Sequence, residues 1–325
     1  MSKNLWVVGD STLSSFEDKY YLPRYGYGTK LQEYLDDEII VKNIALSGRS
    51  SKSYTTEPEY QTLLSGMKKD DYLIIGFGHN DEKTENDRYT QGEGDYLTQG
   101  TFAFSLYNNY IKKAHEAGCT PILCTPIVRR SPDGKWNGQM LHVTAPVGEY
   151  KGGDYPKAIR DLARQLNIAL VDMTMMTKEM YDRLGADETL YLHAWPSDKA
   201  ISVDNTHTNV WGARVNAYLC LSEIKNIGVE GLSNHITGLE NDAPMPSKKK
   251  YFKPSETYKP TVFDSNLSDS KIWEKSGIWK PSVFGDIMDM PTKDTFTLEA
   301  LSDNSFHIAV CGNVGKISAV SDGIA

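Results

Sequence analysis

The sequence contains no CxxC pair and no grouping of cysteine with histidine; its four cysteines, Cys119, Cys124, Cys220 and Cys311, are scattered through 325 residues. That scatter excludes a zinc-finger type of site and a dense disulfide framework. No stretch approaches the ~18 consecutive apolar residues of a membrane span. Positive charge is not in excess either: the formal net charge is −8. Neither nucleic acid nor an anionic membrane is therefore expected as a partner, because both reward a basic surface. No repeat of the kind that builds solenoids or propellers is found. The first apolar run starts around Leu5, which leaves no room for a signal peptide and predicts a cytoplasmic protein.

What is present is an ordinary globular composition, 39% hydrophobic and 24% charged, in a chain long enough to bury a substantial core. Five short runs rich in Val, Ile and Leu recur through roughly the first 230 residues: "LWVVGD", "IIVKNIAL", "DYLIIGFG", "TPILCTPI" and "NIALVDM". They lack a strict apolar–polar alternation, as strands covered on both faces do. Amphipathic segments lie between them. Tyr27, Leu31, Tyr34 and Leu35 share one helical stripe; so do Ala103, Leu106, Tyr110, Ile111 and Ala114, with Gly118 placed to cap that helix. A third stripe holds Tyr155, Ile159, Leu162 and Leu166, and a last helix starts near Val210 with Trp211, Val215, Tyr218 and Leu219 facing the core. Such alternation predicts a parallel sheet flanked by helices, in which ligands bind beyond the carboxyl ends of the strands.

The pattern changes near residue 240. "ENDAPMPSKKKYFKPSETYKP" combines prolines with a lysine run and reads as a linker over residues 241–260, after a domain spanning 1–240. "DTFTLEAL", "SFHIAVCG" and "GKISAV" then read as strands of a small all-β accessory unit over 261–325, open to being incomplete and to binding carbohydrate. Trp273 and Trp279 belong to this unit, where core packing is the better reading than a sugar platform.

Chemistry concentrates at the strand ends. The first gives Gly9-Asp10-Ser11, the second "ALSGRSSKSY" with Gly48, the third "GFGHND" with Asn80, and "VDNTHTN" before the last helix gives Asp204 and His207. A serine hydroxyl needs a histidine to take its proton, and that histidine needs a carboxylate to fix its tautomer and stabilise the imidazolium. Ser11, His207 and Asp204 can fill those roles, and an Asp-x-x-His spacing lets one turn carry both base and carboxylate. The backbone N–H groups of Ser11 and Gly48 and the side-chain amide of Asn80 are suitable donors to a developing oxyanion. Taken singly, each residue reads as well as a cap, a turn or half a metal site; the succession at four strand ends is what favours catalysis.

"GDST", "GRSSKSY", "FGHND" and "DNTHT", in that order, resemble the four blocks of the SGNH (GDSL-like) hydrolase superfamily. More narrowly they resemble rhamnogalacturonan acetylesterase-like carbohydrate esterases, with "TPIVRR" similar to bacterial members. The resemblance covers roughly residues 4–228. It implies a flavodoxin-like three-layer α/β/α fold, no cofactor and no metal, and release of acetate from acetylated oligosaccharides, rhamnogalacturonan-type first and mannan or xylan as alternatives. It also implies Ser11 as nucleophile, Ser11, Gly48 and Asn80 as oxyanion donors, and Asp204 with His207 as the acid–base pair. Gly26-Tyr27-Gly28 stands where the family often has Gly-Trp-Gly, which bears on one pocket wall.

Arg49, His193 and Trp195 are carried as substrate contacts; Ser50 and Lys52 are further polar neighbours, while His79 and His115 receive no role. Two other classes compete, a metal-dependent phosphoesterase and a non-catalytic sugar-binding protein. The first wants several His and Asp ligands around two ions, and no Asp-x-His block is present. Oligomeric state has no signature in these patterns.

Overall fold

In a computed structural model of the chain, residues 2–18, 23–195 and 203–239 are described, together with four short strand segments further on. Strands β1 (Lys3–Gly9), β2 (Ile39–Asn43), β3 (Tyr72–Gly76), β4 (Thr120–Cys124) and β7 (Ala169–Val171) form one sheet in the order β2-β1-β3-β4-β7. Every pairing in it is parallel, with Val7 beside Asn43 and Ile74, and Ile122 beside Ala169. The two small strands β5 (Val143–Thr144) and β6 (Gly153–Asp154) pair antiparallel elsewhere.

Burial on both faces explains why the strands read as continuous apolar runs. Leu5, Val7, Tyr72, Ile74, Ile122 and Cys124 enter one core, with Ala217, Cys220, Leu221 and Ile224 of helix α6 (Val210–Ile227). Their neighbours Trp6, Val8, Leu73, Ile75 and Leu123 enter the other. That second core is completed by α1 (Pro58–Gly66), by α2 (Phe102–Leu106) and α3 (Lys112–Ala117), and by α4 (Tyr155–Leu166). The arrangement is a three-layer α/β/α sandwich. A π-helical turn over Tyr107–Ile111 joins α2 to α3, and Gly118 ends α3 in the left-handed conformation (φ 71°) that glycine adopts without steric cost.

Two helices went unmarked in the sequence pattern. Helix α1 buries only Tyr60 and Leu63, and α5 (Met173–Thr189) is rich in Thr and Met and broken by non-helical Gly185. Conversely, the stripe of Tyr27, Leu31, Tyr34 and Leu35 forms two 3₁₀ turns, Tyr27–Thr29 and Leu31–Tyr34, instead of one α-helix. The Gly26 and Tyr27 amides are taken by the Ser14 and Thr12 carbonyls at 3.0 and 2.8 Å, which ties the start of the segment to the first strand's turn. Tyr27 itself is 1% exposed and belongs to the core, so it walls no pocket.

Beyond residue 239, β8 (Phe296–Ala300) pairs antiparallel with β9 (Phe306–Val310), and β10 (Ala319–Val320) with β11 (Gly323–Ile324). The first three fall on the runs read as strands, and β11 lies past them in "SDGIA". The 241–260 linker, Trp273, Trp279 and Cys311 lie outside the described residues. Among the described residues, Cys119, Cys124 and Cys220 are buried free thiols, and no helix is long and apolar enough to cross a membrane.

Candidate active site

The strand order reverses about β1, whose neighbours β2 and β3 lie on opposite sides; a crevice opens at such a switch point, beyond the carboxyl ends of the strands. The first turn after β1 is built around Asp10. Its Oδ1 accepts the Thr12 N–H at 2.9 Å and the Thr12 hydroxyl at 2.8 Å, and its Oδ2 accepts the His79 N–H at 3.2 Å. One buried carboxylate thereby folds the turn that carries Ser11 and ties it to the loop after β3. Gly9 is required there, since a Cβ would sit 2.4 Å from the Gly76 carbonyl oxygen of β3. Burial pushes the Asp10 carboxyl up from its usual value, and these hydrogen bonds oppose it.

Ser11 is 6% exposed, and its Oγ lies 2.9 Å from His207 Nε2. His207 Nδ1 donates to Asp204 Oδ2 at 2.7 Å, which leaves Nε2 as the acceptor facing Ser11. Asp204 Oδ1 receives the N–H groups of Thr206 and His207 at 2.9 and 3.0 Å. Burial acts to raise the Asp204 carboxyl, but the hydrogen bond and charge of His207 outweigh it and bring it down to about 2. Asp204 is thus a carboxylate at any physiological pH. Phe16 packs edge-on against the His207 ring with centroids 5.9 Å apart.

The Asp204–His207 turn is fixed from several sides. Asn209 caps α6 by accepting the Trp211 and Gly212 N–H groups, and its own amide donates to the Tyr191 and His193 carbonyls at 2.8 and 3.0 Å. Arg130, from the "TPIVRR" stretch, donates to Asn205 Oδ1 at 3.0 Å.

Gly48 follows β2 with φ 77°, and a Cβ there would meet nothing within 4 Å. The positive φ, not crowding, is what asks for glycine. Among the described residues, neither the Ser11 N–H nor the Gly48 N–H is engaged by a protein acceptor. Asn80, after β3, donates one amide hydrogen to the Arg49 carbonyl at 3.2 Å and keeps a second. Next to it, fully buried Asp81 accepts the Ser51 hydroxyl at 2.5 Å, the Ser51 N–H at 3.1 Å and the Thr90 hydroxyl at 2.9 Å, so the Gly48 and Asn80 loops are joined. Burial pushes Asp81 up to about 7 against those bonds.

Arg49 pairs with Glu57 and borders a cavity of about 730 Å³ beside Gly48. His193 is 0% exposed and presents no face to a ligand, which removes it as a substrate contact, while Trp195 is 3% exposed at the edge of the described residues. The reason is visible for His193: its ring is enclosed between Tyr181 and the Asp204–His207 turn. His79 is also buried. Its Nε2 donates to the Ile127 carbonyl at 3.0 Å, and burial holds the ring well below 6.5, hence neutral. Among the described residues no three His, Cys, Asp or Glu side chains are grouped so that they could hold a metal.

Residues 7–219 match the family described as GDSL-like lipase/acylhydrolase. The chain belongs to that family. It is similar to the rhamnogalacturonan acetylesterase RhgT of Bacillus subtilis (strain 168), with 28% identity over 73% of this chain and 95% of the relative. It is 30% identical to the probable rhamnogalacturonan acetylesterase YesY of the same organism, over 70% of this chain and 95% of that one. Among solved structures, Bacillus subtilis YxiM superposes with a TM-score of 0.55 at 22% identity, covering 71% of this chain and 58% of that longer one; this likeness concerns the fold. Membership of an acylhydrolase family, with esterases as relatives, makes the chain a carboxylic ester hydrolase.

Proposed function

We propose that the protein is a serine carbohydrate O-acetylesterase acting on acetylated oligosaccharides of plant cell-wall origin, rhamnogalacturonan-type first. The observation that carries this reading is the chain of contacts from Ser11 Oγ through His207 to Asp204, 2.9 and 2.7 Å long, beside two unengaged backbone N–H groups. The named relatives support the sugar ester as substrate.

In this mechanism His207 Nε2 takes the Ser11 proton as Oγ attacks the acetyl carbonyl. Asp204 stabilises the imidazolium that forms. The N–H groups of Ser11 and Gly48 and the Asn80 amide receive the oxyanion, which gains most from donors already in place. His207 then protonates the departing sugar oxygen, leaving acetyl-Ser11. Water, deprotonated by His207, attacks that ester and releases acetate and free Ser11. Arg49, at the rim of the neighbouring cavity, is retained as a sugar contact. A hydrolase domain over 1–240, a linker over 241–260 and a β-rich accessory unit over 261–325 complete the proposal.

Acetate release from acetylated rhamnogalacturonan, mannan and xylan oligosaccharides, with Ser11→Ala as control, tests the substrate. Release highest from the rhamnogalacturonan set and lost in the variant is expected. Turnover of an aryl acetate with none of the sugars would reject the sugar assignment.

A further inference from the structure

The amide of Asn80 can donate to an oxyanion only if its nitrogen, not its oxygen, faces the substrate. An asparagine side chain can flip, and the two ends are nearly the same shape. Here the neighbours remove that freedom. Asn80 Oδ1 accepts from Arg88 Nη1 at 3.1 Å, while Nδ2 donates to the Arg49 carbonyl at 3.2 Å. A guanidinium only donates and a carbonyl only accepts, so a flipped amide would set donor against donor at one end and acceptor against acceptor at the other.

The same Arg88 nitrogen lies 3.5 Å from the Gly48 carbonyl oxygen. One guanidinium therefore touches both residues that offer donors from the loops after β2 and β3. Arg88 is itself held: its Nε donates to Glu85 Oε2 at 2.8 Å and a second nitrogen pairs with the same carboxylate. It lies on the wall of the cavity beside Gly48, with 24% of its side chain exposed.

We propose that Arg88 is a positioning residue of the oxyanion site, acting through Asn80 by locking its amide with the nitrogen toward the developing charge. A positive group one hydrogen bond behind the amide also polarises it, which strengthens the N–H that remains. The proposal rests on the acetylesterase reading and deepens it.

A double-variant cycle tests it, with p-nitrophenyl acetate as substrate so that sugar contacts play no part. Arg88→Met should lower kcat about tenfold, the size of a lost hydrogen bond to a charged group, with KM unchanged. In an Asn80→Ala background the same change should cost nothing more, since the residue through which Arg88 acts is gone. Added methylguanidinium should restore part of the lost rate in Arg88→Met and none in the double variant; a general structural loss would not respond. Losses that multiply, or a change confined to KM, would overturn the proposal. If Arg88→Met fails to fold, Arg88→Lys in the same cycle decides, being expected to lose less than Met and again nothing in the Asn80→Ala background. If Asn80→Ala or Ser11→Ala leaves turnover intact, it is the esterase mechanism that fails, a result separable from the fate of Arg88.

Discussion

The Nδ1–H of His193 donates to the Asp204 carbonyl oxygen at 2.8 Å and reaches the His207 carbonyl oxygen at 3.1 Å. Carbonyls only accept, so the proton is on Nδ1, and Nε2 accepts from the Tyr181 hydroxyl at 2.7 Å. A neutral, fully buried imidazole thus clamps the backbone of the turn that presents both the base and its carboxylate. It does this from beneath, out of reach of any substrate.

That clamp carries a pH dependence. Burial is the main cause that brings His193 down from 6.5 to about 4, so between these values the unfolded chain binds a proton that the folded one does not. Its contribution to stability is complete above the unfolded value and is lost as the pH falls toward 4, by up to about 3 kcal/mol from this one group. Urea unfolding at pH 7 and pH 4.5 should show wild type losing more stability than His193→Gln, which cannot titrate. Equal losses would contradict the assignment. At pH 7, His193→Gln should also lower kcat, because the turn it holds is less constrained.

Ser11→Ala and His207→Ala should each lower kcat by about 10⁵-fold or more, and the double variant should be hardly worse, as for groups that act as one unit. Asp204→Asn should cost about 10⁴-fold, by supplying a partner that no longer fixes the base. Ser11→Ala should unfold near the wild-type temperature and Asp204→Asn below it, since the fold holds that carboxyl down to about 2; circular dichroism checks both.

Asn80→Ala should lower kcat about 10²- to 10³-fold while KM moves little, since the donor acts on charge that exists only in the transition state. A steady-state split into kcat and KM decides this; a loss in KM alone would make Asn80 a ground-state contact.

Gly48→Ala should be cheap for the fold and costly for the reaction. Nothing lies within 4 Å of the added Cβ, so only the positive φ resists it, at about 1 kcal/mol. The same methyl enters open space beside the free N–H, where the acyl group is expected, so kcat/KM should fall at least tenfold. A fall in melting temperature with unchanged turnover would place Gly48 outside the site.

The residues of the candidate site were legible where the signal was local and not where it depended on tertiary contacts. Ser11, Gly48 and Asn80 each stand just past an apolar run, and Asp204 and His207 are three residues apart, so strand ends and spacing sufficed to bring the five into view. His193 stood out as a titratable residue near an aromatic, yet its burial depends on Tyr181 and on the 204–207 turn, partners that spacing does not reveal. Arg88 lies in a polar irregular stretch whose contacts with Asn80 and Gly48 exist only after the loops meet. For the fold, the doubly buried strands read plainly because both faces demanded apolar residues. Helix α1 did not, since it buries two side chains where α4 buries six.

The central claim is that Ser11 is the atom that attacks. Intact-protein and peptide mass spectrometry after reaction with diisopropyl fluorophosphate tests it most directly. A single adduct on Ser11, formed in step with the loss of esterase activity and absent in His207→Ala, is the result expected. An enzyme fully active with Ser11 modified, or inactivated by an adduct elsewhere, would contradict it.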